Sequence, residues 1–135
     1  MARRENMFAS NAFNYINLLD KAADASWTRK SVIDNNIANV DTPGYKRQEV
    51  DFESTLKSAL KDYQYESLDS KVDNLDLSSL NARTFTDYAN YSYRMDGNNV
   101  DMDVEQTELA SEQIKYEAIT SSISSEFARM KAVIS

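Results

Sequence analysis

From Leu109 to Ile134, Leu109, Gln113, Tyr116, Thr120, Ile123, Phe127, Met130 and Ile134 recur at spacings of 4, 3, 4, 3, 4, 3 and 4. A chain that keeps this rhythm has one simple outcome, a long helix with a heptad-like seam turned toward another helix. A second line, Ala110, Ile114, Ala118, Ser121, Ser125, Ala128 and Ala132, is mostly small. Read as the neighbour of the first, it widens the seam into one broad face that a partner can approach closely. Two arrangements fit: packing of two helices within one chain, or a coiled-coil element shared between copies. The start is marked by the turn signal Asp96-Gly97-Asn98-Asn99. Val100 and Met102 then alternate with Asp101 and Asp103, and Asp103 with Gln106 forms a capping-box-like start to a helix over 103–135. Glu105 and Glu108 fall in its first turns, where negative charge is favourable.

A partner is expected at the other end of the chain. Ile16, Leu19, Ala23, Ser26, Lys30, Ile33, Ile37 and Val40 trace a weakly apolar stripe at helical spacing, predicting a helix over 11–40 with Ser10 as its cap. Its middle offers only Ala22, Ala23 and Ala25, with Trp27 as a large anchor off the seam, so it needs a partner for stability. The stretch NNIANVDTPGYK, residues 35–46, then ends it. Pro43 disfavours helix at Thr42, and Pro43-Gly44 suits the centre of a type II turn. Asn39 and Asp41 can bond to nearby backbone, while Asn35, Asn36 and Tyr45 supply groups able to donate and accept across a subunit boundary.

Residues 41–63 read as this turn followed by a short helix with Phe52, Leu56, Ala59 or Leu60, and Tyr63 on one face. Residues 64–99 lose clear periodicity: Leu68, Val72, Leu75, Leu77 and Leu80 are scattered among Asp, Asn and Ser, before Phe85, Tyr88, Tyr91 and Tyr93. The expectation is a variable excursion with some strand content, or a contact region ordered by assembly. The fold class is therefore mainly α: long terminal helices packed as a coiled-coil-like pair, a short helix, and an irregular or partly β middle, in a single domain.

Composition removes most chemistry. The 135 residues contain no cysteine and no histidine, which excludes disulfides, thiol nucleophiles, histidine bases and the usual zinc ligands. Neither a phosphate-binding glycine loop nor a glycine-flanked nucleophilic serine is present. The acids Asp96, Asp101, Asp103, Glu105, Glu108 and Glu112 lack the spacing and central glycine of a calcium loop, and read as a solvated face or inter-subunit salt contacts. Asp101 and Asp103 fit one face of a strand, but no pocket-forming pattern surrounds them. No cofactor is expected. Residues 1–47 carry seven basic and five acidic side chains and the remainder eight and seventeen, a split that disfavours nucleic-acid binding and permits head-to-tail attraction between copies. Lys21, Arg29, Lys30, Lys46 and Arg47 are interleaved with acids and are better used in pairing, Lys30 with Asp34 four residues on. No run of 18 apolar residues exists, and the first residues lack the pattern of a cleaved signal peptide.

With both ends read, the chain resembles the bacterial flagellar basal-body rod proteins, and among them the proximal-rod type. The likeness lies in Asn35-Asn36-Ile37-Ala38-Asn39, Asp41-Thr42-Pro43-Gly44-Tyr45-Lys46-Arg47 and Val50-Asp51-Phe52-Glu53. It resumes in Asp96-Gly97-Asn98-Asn99-Val100-Asp101-Met102-Asp103, then Glu105, Leu109, Ala110 and Tyr116. The resemblance implies a structural protein, not an enzyme, whose copies assemble helically with themselves and with other rod proteins, transmit torque and line the export channel. It also implies a place at the base of the rod beside the export apparatus and the membrane ring, reached without a cleaved signal, and termini ordered on assembly. In such a subunit the packing set is Ile16, Leu19, Ile33 and Ile37 against Leu109, Tyr116, Ile123, Phe127, Met130 and Ile134. Without the resemblance, the alternative is a soluble helical adaptor or protein-interaction module.

Overall fold

In a computed structural model of the chain, the backbone of residues 2–61, 67–73, 75–88 and 95–134 is described, with side chains from Phe13 onward except those at 61, 69 and 73. Six elements and one 3-10 turn follow in order: α1 (Ala2–Ala38), β1 (Gln48–Asp51), α2 (Glu53–Lys61), α3 (Leu68–Asp73), the turn Leu77–Ser79, β2 (Arg83–Thr86) and α4 (Met102–Ile134). The two long helices pack on each other, as the seams predict. They run antiparallel, because Asn36 meets Glu105 while Ser26 meets Glu112. Helix α1 extends back to Ala2, so Ser10 lies inside it and is not its cap.

The weak middle of the α1 stripe has a physical use. Helix α1 is covered on two sides, by α4 and by the segment between the motifs. On the second side Ala25, Phe52 and Leu80 form a buried cluster, ringed by Leu18, Ala22, Leu56, Ala59, Leu75, Leu77 and Ala82. Small residues at 22, 23, 25 and 26 let both neighbours approach the α1 backbone. Burying Phe52 and Leu80 stabilises the fold by about 1.5–3 kcal/mol each.

The middle segment is therefore part of the core and not a plain excursion. Several of its described Asp and Ser residues are helix caps and turn formers. Ser67 accepts the Ser70 N–H at the start of α3, and Asp76 accepts the Ser78 N–H in the 3-10 turn. Strands β1 and β2 pair antiparallel, with Gln48 opposite Thr86 and Asp51 opposite Arg83. Phe85 and Tyr88 are largely exposed. Tyr63, Tyr91 and Tyr93 lie outside the described residues.

At the start of α4 the expected cap is displaced by two residues. Asp101, not Asp103, accepts the N–H groups of Asp103 and Val104, at 3.0 and 3.4 Å, and its carbonyl accepts the Glu105 N–H. Met102 begins the helix, so Val100 to Asp103 is not a strand. The two lines read along α4 also do not merge. Successive residues turn by about 100°, and the line from Ala110 to Ala132 falls on the side away from α1, exposed throughout. Gln113 faces outward and Glu112 takes its place in the contact. Of the packing set, Ile16, Ile33 and Met130 are buried; Leu19, Ile37, Leu109, Tyr116 and Ile123 are half-buried. Phe127 is 50% and Ile134 73% exposed, and among the described residues the neighbour of α4 is the single helix α1, which shields only a narrow stripe. With Met130 and Lys131 these two residues border an open apolar hollow of about 310 Å³. No described helix is long and apolar enough to cross a membrane.

Candidate functional site

More than fifty residues apart in sequence, the two motifs meet at the end of α1. Beyond Ala38 the helix unwinds through tight turns, Val40 N–H to Ile37 and Thr42 N–H to Asn39. Pro43-Gly44 then reverses the chain, with Gly44 at φ 72° and the Tyr45 N–H donating to the Thr42 carbonyl, 3.2 Å. Only glycine adopts that backbone without strain.

The carbonyls of the turn after this helix are met by the second motif. Asn98 is almost fully buried, and its amide donates to the carbonyls of Asn39, Val40 and Thr42 at 2.9, 3.0 and 2.9 Å. Its own oxygen accepts the Val100 N–H at 2.8 Å, and its N–H donates to Asp96. The Gly44 N–H donates to the Asp96 carbonyl at 2.7 Å, and Lys46 Nζ to the Gly97 carbonyl. Gly97, at φ 78°, takes a left-handed backbone that glycine enters without strain, and it packs against Gly44 at ordinary van der Waals distance. The second motif thus closes over the turn that follows the first helix, satisfying carbonyls that this non-helical backbone turns inward.

Of the first motif's asparagines, Asn36 serves the interior of the subunit. Asn36 is fully buried and pairs with the Gln48 backbone in both directions, Nδ2 to O and N to Oδ1, each at 2.9 Å. Its oxygen also accepts from the Tyr45 hydroxyl, and its nitrogen donates to Glu105 Oε2. Asn35 is exposed and donates to the Tyr45 hydroxyl at 3.0 Å; Asn39 donates to the Asn35 carbonyl and accepts from Thr42 Oγ1. Asp41, Thr42, Pro43, Gly44, Asp96, Asp101 and Asp103 are exposed, and Val100 is buried.

Two charged clusters anchor this junction. Glu105 has no solvent exposure, which places it in the fold's interior and not on a solvated face. Arg47 Nε donates to Glu105 Oε1 at 2.8 Å, and the rest of its guanidinium engages Glu49, Asp87 and Glu108. Burial opposes the charge of Arg47, yet bonds to Glu49 and Glu105 outweigh it and raise its pKa above the ordinary arginine value. Seven residues along each helix, Glu112 accepts from Ser26 Oγ at 2.7 Å and from Arg29 at 2.9 Å. Arg29 also holds Glu53, 2.6 Å, and the Val50 carbonyl, and Lys115 reaches Glu53 at 2.7 Å. Burial tends to raise the Glu53 pKa, but the bonds from Arg29 and Lys115 push it down to about 2. Glu108 goes the other way: burial and the nearby Glu105 and Glu49 outweigh Arg47 and raise it. Beside the second cluster, Trp27 tilts against Tyr116 with centroids 5.9 Å apart, and the Lys30 ammonium lies 5.4 and 5.6 Å from the two ring centroids.

Between the clusters lies an open cleft of about 280 Å³, floored by Val32, Ile33 and Val50 and edged by Arg29, Arg47 and Glu108. Its charged groups are already paired within the fold, so it offers shape rather than chemistry. Among the described residues no group of three or more carboxylates is arranged to hold a metal ion. In the sequence neither Glu105 nor Glu112 stands out as a partner across the helices. The signal is nevertheless present: Arg29 and Asn36 stand seven apart, as do Glu105 and Glu112, one heptad on each helix.

Residues 22–46, from mid-α1 through the Pro43-Gly44 turn, match the family described as flagella basal body rod protein. The whole chain is similar to the flagellar basal body rod protein FlgB of Bacillus subtilis (strain 168), 33% identical over 130 residues, covering 96% of each chain. It is similar to that of Borrelia hermsii at 31%, covering 88% of this chain and 94% of the relative, and to that of Escherichia coli (strain K12) at 32%, covering 78% and 82%.

Proposed function

This chain belongs to the FlgB family of flagellar basal body rod proteins, and from that premise we propose how it works within the rod. It is a structural protein of the basal body and not an enzyme. Residues 1–135 act as one rod-subunit domain that assembles helically with other copies and with other rod proteins in the proximal rod. There it transmits torque and lines the export channel, next to the export apparatus and the membrane-ring base. It reaches this place, on the periplasmic side, without a cleaved signal peptide. Nucleic acid has no part in this role.

The observation that carries the reading is the number of large apolar side chains left open on the two long helices. Buried polar side chains such as Asn36, Asn98, Glu105 and Glu112 are satisfied within the subunit, while large apolar groups stand in solvent: Phe13 and Trp27 on α1, Ile114, Phe127, Val133 and Ile134 on α4. Uncovered apolar helix surface on this scale marks a protein contact. A contact between different faces of successive copies does not close on itself and builds a helical filament. The test is Ile114→Asp in a strain that depends on this chain for motility. Ile114 is 69% exposed, so the monomer keeps its helical signal while rod assembly and swimming are lost. Normal swimming with Ile114→Asp would remove this face from the assembly.

A further inference from the structure

The apolar residues of α4 are spread around the helix with little contrast between its faces. One side carries Leu109, Tyr116, Ile119, Ile123 and Met130; the other carries Ala110, Ile114, Ala118, Ala128 and Ala132. The side turned to α1 has the larger apolar residues, but it also bears Glu105 and Glu112. Burying two carboxylates argues against the face that is chosen, so hydrophobicity by itself fixes the rotation only weakly. We propose that the two polar layers, Asn36–Arg47–Glu105 and Ser26–Arg29–Glu112, select which face of α4 meets α1 and in which register. This selection within the subunit does not depend on rod membership.

Three observations support it. Each carboxylate is bonded at both oxygens: Glu105 by Arg47 and Asn36, Glu112 by Arg29 and Ser26. A rotated α4 would leave Asn36 and Ser26 buried without these partners and turn small side chains toward them. The layers are spaced by seven residues on both helices in opposite directions, so a slide of one heptad keeps one layer and breaks the other. Both arginines are also tied to β1, through Val50 and Glu49. The strand thus holds them in place to receive one face of α4. A buried polar position that sets register at a cost in stability is known from coiled coils.

The chain has no cysteine, so introduced pairs read the rotation cleanly. Continuing the heptad relation places the Ala22–Ala23 turn opposite Ile119, which is half-buried, whereas Ala118 faces solvent. Ala23→Cys is combined with Ile119→Cys to report the observed face, and with Ala118→Cys to report the rotated one. The second chain also carries Ile119→Ala, so that both lack the isoleucine and differ only in where the thiol stands. In these two parent chains the 23–119 disulfide forms in roughly tenfold excess over 23–118, since disulfides require matched Cβ directions at short Cα separation. Glu112→Arg, which sets a like charge against Arg29, lowers that ratio several-fold, and the exchange Arg29→Glu with Glu112→Arg restores it. If Glu112→Arg loses its helical signal, Glu112→Ala, which removes the carboxylate without adding a large apolar group to that face, is expected to bring the two yields toward equality. Equal yields in the parents, an unchanged ratio in a folded Glu112→Arg or Glu112→Ala chain, or no recovery in the exchange would each overturn the proposal.

Discussion

Replacing Asn36 by alanine removes one amide and disturbs three elements. The side chain is fully buried and bonds the Gln48 backbone twice, the Tyr45 hydroxyl and Glu105 Oε2. Glu105 is itself sealed from water, so losing a donor to its carboxylate costs about 2 kcal/mol. The Gln48 groups and the Tyr45 hydroxyl are half-buried, and water can replace part of what they lose, at about 0.5–1 kcal/mol each. The total is about 3–5 kcal/mol, a large part of a small domain's stability. With an unfolding entropy of about 2.1 cal/mol/K per residue, that lowers the melting temperature by roughly 10–18 °C. Far-UV circular dichroism against temperature and urea measures it, with Asn35→Ala as the control. Asn35 is exposed, its side chain donates to the same hydroxyl, and its loss costs at most about 1 kcal/mol. If Asn36→Ala melts within about 2 °C of Asn35→Ala (roughly 0.5 kcal/mol), the buried amide is not holding the motifs and the reasoning fails.

Other perturbations follow from the same geometry. The folded Glu53 carboxyl lies at about 2 against an ordinary 4.5, so its stabilisation is present above about pH 4.5 and is lost as the pH falls toward 2. About half of that side chain is in water, so screening holds the effect to on the order of 1 kcal/mol, and acid titration of Glu53→Gln beside the parent shows it as a lost slope in this window. Glu108 has the opposite sign: its raised pKa disfavours the charged form in the fold, so Glu108→Gln leaves the melting temperature at pH 7 unchanged or slightly higher. Pro43-Gly44→Ala-Ala forces a side chain into φ 72° and costs about 1–2 kcal/mol, and impairs rod assembly more than export, read by counting assembled rods and secreted subunit. Ile123→Asp falls at a half-buried site, so it costs about 1–3 kcal/mol and weakens the α1–α4 pair without unfolding the Phe52–Leu80 cluster, as hydrogen exchange resolves.

The helices were legible because their signals are local. Spacing marked α4, and Pro43-Gly44 marked the end of α1, since proline and glycine act on their own backbone. The partnership of the motifs was not legible as geometry: nothing local to Asn98 says that its amide will bond the turn after a helix ending at residue 38. The short strand β1 was hidden for the same reason, being held by an asparagine side chain and by β2, both distant in sequence. The facing of α4 misled because two apolar lines run along it, and the contact is centred on a pair of glutamates whose arginine partners lie on α1 and just before β1. The asparagines of the first motif looked like groups offered to a neighbouring subunit. Asn36 is used inside, in a two-bond match to the backbone N–H and C=O of one residue.

The most direct test of the account is an electron cryo-microscopy map of basal bodies isolated from cells carrying this chain. It predicts, at the base of the rod, antiparallel α1 and α4 with the Pro43-Gly44 turn seated on Asp96–Asn98, and neighbouring subunits against the outward line of α4 from Ala110 to Ala132. A rod without this chain, or subunits in which the two motifs lie apart and Glu105 faces a neighbour, would contradict it.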